Sequence, residues 1–276
     1  MTLPTAPPDD KNIPPLPPET SSQTGKDTSQ VGQVSQSPLL PPAAPVIQIQ
    51  LPQRKAIITY TLLAVTICVF AIQIISESLT GYDYPALLGM KVNPYIQMGE
   101  YWRLMTPVML HGSIAHLAFN MYALFVIGRG LERHYGHLRF AMLYFVAAFC
   151  GNVFSYLFSP KASLGASTAI FGLIAAQGIF IYANRFLFGS QARAMLANVI
   201  GIVVINLLFG LSPGIDNWGH LGGLIGGLGF AWFAGTQYQV IQTQSGYLMQ
   251  DTRQNTRAWL VAIAEVAIFT ISVFLR

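Results

Sequence analysis

The chain has 276 residues, of which 53% are hydrophobic and only 9% charged, with a mean hydropathy of +0.48. A water-soluble domain carries about a quarter charged residues, so most of this surface faces lipid. Lys and Arg number 15 against 11 Asp and Glu, a net charge of +4, but the charges punctuate apolar runs without forming a basic stripe, which argues against nucleic-acid binding.

In chain order, residues 1–53 come first and are unlike the rest. Pro14-Pro15-Leu16-Pro17-Pro18 and Pro41-Pro42-Ala43-Ala44-Pro45 alternate with Ser, Gln, Thr and Gly. Such a stretch buries too little apolar area to offset its chain entropy, so it reads as a disordered, partly polyproline-like cytoplasmic tail. It lacks the basic start, apolar core and small-residue cleavage site of a signal peptide.

From Ala56 onward seven apolar spans follow, at about 56–75, 113–131, 140–158, 167–184, 194–211, 219–235 and 259–275. Each is close to the roughly 20 residues that a bilayer core requires, which predicts an all-α membrane protein. Arg54 and Lys55 precede the first span, and Arg129, Arg133 and Arg139 lie between the second and third. Arg185 and Arg193 separate the fourth and fifth, and Arg253 and Arg257 precede the seventh. The other side holds Lys91, Arg103, Lys161 and the terminal Arg276. By the positive-inside rule the amino terminus is cytoplasmic and the carboxyl terminus outside. Residues 54–235 form the core; 236–276 are a cytoplasmic linker and the seventh helix.

Between the first two spans, about 76–112, Tyr82, Tyr84, Tyr95, Tyr101 and Trp102 mix with Pro85, Pro94 and Pro107. That aromatic density favours the headgroup layer, so the loop belongs in or on the outer leaflet. Cys68 and Cys150 fall inside spans and read as buried packing residues, not as a disulfide.

The second, fourth and sixth spans all enter from the outer face, and each carries a polar group near its start. A serine becomes a nucleophile only with a base in hydrogen-bond reach. Of the five histidines, His134 and His137 fall in a cytoplasmic connection, leaving His111, His116 and His220. His220 opens the sixth span, where Gly219, Gly223 and Gly227 recur every four residues and permit close helix packing. The small-residue run Gly165-Ala166-Ser167-Thr168-Ala169-Ile170-Phe171-Gly172 is its natural partner and holds Ser167 in its first turn. A histidine within a span is a functional candidate in its own right, whereas a serine in such a run is commonly inert.

No carboxylate is well placed for a triad. Asp216, one turn before His220, reads as the cap of the sixth helix; Glu265, in the seventh span, starts from the cytoplasmic side and has no assigned role. A Ser167–His220 dyad follows, with Phe171 one turn below Ser167 to pack the imidazole. His116 and Asn120 share one face of the second span and can both donate toward a negative oxygen. The Ser167 and Ala166 amides at a helix start add to an oxyanion hole. A metal site of His111, His116 and His220 is the weaker alternative, lacking HExxH and an acidic second shell, and neither metal nor cofactor is expected.

The run His111-Gly112-Ser113-Ile114-Ala115-His116-Leu117-Ala118-Phe119-Asn120 resembles the second-helix motif of rhomboid intramembrane serine proteases. Gly165-Ala166-Ser167 resembles their nucleophile motif, and His220 with Gly223 and Gly227 their sixth-helix motif. Tyr101-Trp102-Arg103 and Gly130-Leu131-Glu132-Arg133 are similar to the family's first-loop Trp-Arg and to its Glu-x-Arg-like element. The resemblance covers about residues 56–235, implying a six-helix rhomboid-like core to which the seventh span is added. It departs at Thr168, where the family commonly has Gly. Inactive relatives typically lose the serine or the histidine, and this chain keeps both.

The resemblance implies an endopeptidase that cuts transmembrane segments of other membrane proteins near the outer leaflet. It further implies a multi-pass location in a bacterial plasma membrane, with the site toward the outer face. The competing class is a non-catalytic membrane protein that binds transmembrane helices.

Overall fold

The computed structural model describes residues 54–243 and 246–275, so the Pro-rich segment read over 1–53 lies outside the described residues. Helix α1 spans Ile57–Thr80. The long connection after it folds into α2 (Tyr84–Gly89), α3 (Asn93–Gln97) and two 3-10 turns, Tyr101–Leu104 and Thr106–Met109. Helix α4 (Ile114–Ala123) continues through a π turn at Leu124–Gly128 into α5 (Arg129–Tyr135). Then come α6 (His137–Phe158), α7 (Ser167–Ala183), α8 (Ala192–Phe209) and α9 (Asn217–Ala234). Strands β1 (Tyr238–Thr243) and β2 (Gly246–Asp251) precede α10 (Asn255–Phe274).

Each apolar run read from the sequence is helical. Among the described residues, five helical stretches are long and apolar enough to cross a membrane: Ile57–Thr80, Ile114–Tyr135, His137–Phe158, Gly189–Phe209 and Asn255–Phe274. The other two of the seven expected spans are α7, of 17 residues, and α9, whose 18 residues open on Asn217-Trp218-Gly219-His220 and carry six glycines. Packing sorts the helices differently. The apolar window of α6 is 72% buried within the protein, against 11–28% for the other four. α7 is buried nearly all round and α9 along its glycine face, as expected of a helix that is apolar on every side and sits at the core. α6, α7 and α9 therefore form the centre, with α1, α4, α8 and α10 outside them.

The two ends of the bundle are tied differently. At one end Glu132, fully buried, accepts from the Ile58 and Thr59 amides at 2.8 and 2.7 Å and from Thr59 Oγ1 at 2.6 Å. His137 Nδ1 lies 2.6 Å from its other oxygen. Arg139 donates to Asp251, Asn255 and the Arg253 carbonyl, joining α6 to β2 and α10. At the opposite end buried Lys91 donates to the Ser159 and Lys161 carbonyls at 2.8 Å each. Arg103, only 3% exposed, donates to the Leu87 and Met90 carbonyls and pairs with Glu100. Trp102, by contrast, is exposed and donates to the Leu88 carbonyl.

Two expectations need correction. The segment after 236 holds an antiparallel hairpin, with Tyr238 opposite Asp251 and Val240 opposite Met249, so the described chain is mostly but not wholly helical. The hairpin buries only Tyr238 and Met249 as large apolar anchors, too few to give its Gln-rich sequence a clear alternation. Cys68 is exposed and only Cys150 is buried, because a lipid-facing surface is as apolar as a core. Glu265, to which the sequence assigns no role, is half-buried against the bundle, with Oε1 turned onto α9 at Gly229.

Candidate active site

Local geometry sets up the start of α7. Gly165 has φ of +135°, a backbone region that side chains rarely adopt. A Cβ there would also lie 2.8 Å from the His116 ring. The Gly165 amide donates to the Pro107 carbonyl at 2.9 Å, and Ser163 pairs with Lys91 through two backbone bonds of 2.9 and 3.0 Å. The first connection thus pins the segment that turns into Ser167, the first residue of α7. Its amide and that of Ala166 lie where a helix start leaves N–H groups without an intrahelical acceptor.

α9 starts at a side-chain cap. Asp216 Oδ1 accepts from the Gly219 amide at 3.1 Å, the role read from its position. One turn on, His220 is 8% exposed, and its Nε2 lies 2.9 Å from Ser167 Oγ. The imidazole stacks on Phe171, ring centroids 4.4 Å apart and planes inclined by 14°. His220 Nδ1 is buried without a hydrogen-bond partner. Close helix contact makes this meeting possible: a Cβ on Gly223 would overlap the Thr168 carbonyl, and one on Gly227 would overlap Gly172. Thr168 itself does not crowd Ser167. Its side chain fills the crevice between Gly151 of α6 and Gly219 of α9.

α4 brings the other polar groups. Ser113 Oγ caps it by accepting from the His116 amide at 3.1 Å, and the His116 ring lies beside Gly165. Asn120 is buried, and its amide nitrogen donates to the His116 carbonyl at 2.9 Å. His111 is 1% exposed, its ring 5.0 Å from that of His116, and burial, with His116 beside it, pushes its pKa down to about 4. Its backbone is held by Gln73, which accepts from the His111 amide and donates to its carbonyl, each at 3.1 Å.

Ser167, His220, Phe171, Gly165, Ala166 and His116 are therefore gathered at one place, with Asn120 one turn below His116 and Gly223 and Gly227 in the helix contact beneath. Among the described residues no group of three His, Cys, Asp or Glu is placed to hold a metal ion. Sequence reasoning missed the ties around the site: Lys91, Gln73, Ser155 and Ser163. No periodic or compositional signal marks an isolated polar residue whose partner lies in another element.

The arrangement presents a hydroxyl to an imidazole in a largely buried setting with donors alongside. The Rhomboid domain family matches residues 98–237, just over half of the chain. Among curated proteins, the rhomboid protease GluP of Bacillus subtilis is 44% identical over 174 residues, covering 63% of this chain and 34% of that protein. RHOMBOID-like protein 4 of Arabidopsis thaliana is 35% identical, covering 57% of this chain and 41% of its own length. Rhomboid-like protease 1 of Toxoplasma gondii is 39% identical, covering 53% and 49%. This chain thus spans about a third to a half of the length of these relatives.

Proposed function

The chain belongs to the rhomboid family and is a multi-pass integral membrane protein, and from that premise we propose that it is an intramembrane serine endopeptidase acting on transmembrane segments of other proteins. The observation that carries this reading is the 2.9 Å approach of His220 Nε2 to Ser167 Oγ. Ser167 Oγ attacks the scissile carbonyl while His220 takes its proton, then passes it to the leaving amine. Water, deprotonated by the same imidazole, releases the acyl group. Negative charge on the tetrahedral oxygen is met by His116, by the Ser167 and Ala166 amides and by Asn120. Asn120 spends one N–H on the His116 carbonyl, and an amide group has two.

In this proposal seven helices cross the bilayer, with α6, α7 and α9 at the centre of the bundle. The amino terminus is cytoplasmic and the site opens toward the outer face of a bacterial plasma membrane. The names of the relatives from Bacillus subtilis and Toxoplasma gondii, both called proteases, support hydrolysis. So does retention of both reacting groups.

The test is co-expression with a type I membrane protein substrate, comparing the wild type with Ser167→Ala, together with a fluorophosphonate probe. Cleavage and labelling should both occur in the wild type and vanish in Ser167→Ala. Cleavage that persists in Ser167→Ala, or a wild type that binds substrate yet never labels, would overturn the proposal in favour of a non-catalytic helix binder.

A further inference from the structure

Asp216 does more than cap α9. Its second carboxylate oxygen, Oδ2, accepts from Ser155 Oγ on α6, and Ser155 is fully buried. Ser155 Oγ lies 3.4 Å from Ser163 Oγ, in the segment that the Lys91 and Pro107 backbones hold four and two residues before Ser167. A polar chain thus runs from the turn before Ser167, through α6, to the turn before His220. Directly beneath it α6 and α9 pack closely, since a Cβ on Gly151 would lie 2.7 Å from the Gly219 carbonyl.

The imidazole needs such a device because it has little orientation of its own. A catalytic base is usually held through its second nitrogen by a third group. Among the described residues His220 Nδ1 is buried without a hydrogen-bond partner, so its ring depends on Ser167, on the Phe171 stack and on where its helix starts. We propose that Asp216 is a positioning residue that, through Ser155 and Ser163, sets the starts of α7 and α9 in register and so holds His220 on Ser167. This rests on the Ser167–His220 reading above. Displacing a reacting group by about 1 Å can cost on the order of 100-fold in rate, so a tie at this place is read out in turnover.

A plain helix cap predicts something different. It makes Asp216→Ala less stable, leaves turnover per folded molecule unchanged and makes Ser155→Ala silent. On the proposal, Asp216→Ala and Ser155→Ala each lower kcat about tenfold or more with KM within about twofold, measured well below each variant's melting temperature. The fluorophosphonate labelling rate falls in parallel. Asp216→Asn keeps one oxygen to accept from the Gly219 amide and turns an NH2 toward Ser155 Oγ, which can accept it while donating to Ser163 Oγ, and so recovers to within about threefold of the wild type. The double variant is no worse than the poorer single one, because both break one connection.

Hydrogen exchange supplies a readout independent of activity. Asp216→Ala should speed amide exchange at residues 163–167, some fifty residues away in sequence, as well as at the start of α9. Unchanged exchange at 163–167, unchanged kcat in Ser155→Ala, or an Asp216→Asn as impaired as Asp216→Ala would each overturn the positioning role. A wild type that neither cleaves nor labels would instead overturn the protease reading, and the exchange comparison would still decide whether Asp216 couples the two elements.

Discussion

A serine hydroxyl and an imidazole act as one unit in acyl transfer, so on the proposed chemistry Ser167→Ala and His220→Ala should each remove detectable cleavage. The oxyanion donors should be graded. Asn120 shares its amide with the His116 carbonyl, and losing one donor of several typically costs about 100- to 1000-fold. Asn120→Ala should therefore keep a trace of activity, and His116→Ala, whose ring lies beside Gly165, should be at least as damaging in the same assay. Asn120→Ala less active than His116→Ala would reverse these assignments. His111 calls for a different measurement. The sequence places it before the helix and outside the chemistry, so its loss reads as mild for turnover. Yet it is 1% exposed, and burial holds its pKa down to about 4, against about 6.5 in an unfolded chain. Between those values the unfolded chain binds a proton that the folded chain refuses, so stability declines as pH falls through this window. At about 1.4 kcal/mol per pH unit the loss is on the order of 3 kcal/mol. His111→Phe should lose less melting temperature than the wild type between pH 7 and pH 4. Equal acid sensitivity in the two proteins would exonerate this imidazole.

At the scale of elements, the contact between α7 and α9 determines whether the two reacting groups meet. Gly223 lies against the Thr168 carbonyl with no room for a Cβ, so Gly223→Ala should force the helices apart. Overpacking of this kind costs about 1–3 kcal/mol, and the fluorophosphonate labelling rate should fall with it. Gly201 on α8 has nothing within 4 Å of its would-be Cβ. There Gly201→Ala should raise stability by roughly 0.5–1 kcal/mol through helix propensity. Melting temperatures that moved the same way in both variants would count against this account. The α7–α9 contact was legible because glycines at 219, 223 and 227 and the small residues of 165–172 leave a repeating signature. The helices were legible for a related reason, since long apolar runs admit few other structures. What stayed hidden depends on partners distant in sequence. Thr168 stands where the family commonly has Gly, and its side chain fills the gap between Gly151 and Gly219. Glu132 is legible only as part of the Glu-x-Arg-like element, and nothing in its spacing shows that it anchors the start of α1. The β1–β2 hairpin escaped because its pairing buries so little apolar surface.

For the whole molecule, the ties at the two ends bear on orientation in the membrane. The Glu132 anchor at the start of α1, the Arg139 cluster and the Asn184–Thr236 and Thr236–His134 bonds bring residues 58, 134, 139, 184, 236 and 251–255 to one end. Arg129, Arg133, Arg185, Arg193, Arg253 and Arg257 lie in or beside those segments. The opposite end gathers Lys91, Arg103 and Lys161 with the site, and Lys91 and Arg103 spend their charge on buried carbonyls and Glu100. The end holding Ser167 is therefore poor in free cations, and a cytoplasmic loop is marked by an excess of them. This predicts that the arginine-rich end faces the cytoplasm and the site the outside. Cysteines introduced as Ser190→Cys and Ala162→Cys, both at exposed positions and in a Cys68→Ser background, make the test. A membrane-impermeant maleimide added to intact cells should label Ala162→Cys at once and Ser190→Cys only after lysis. The reverse pattern would put Ser167 at the cytoplasmic face and would require substrates cut near their inner ends.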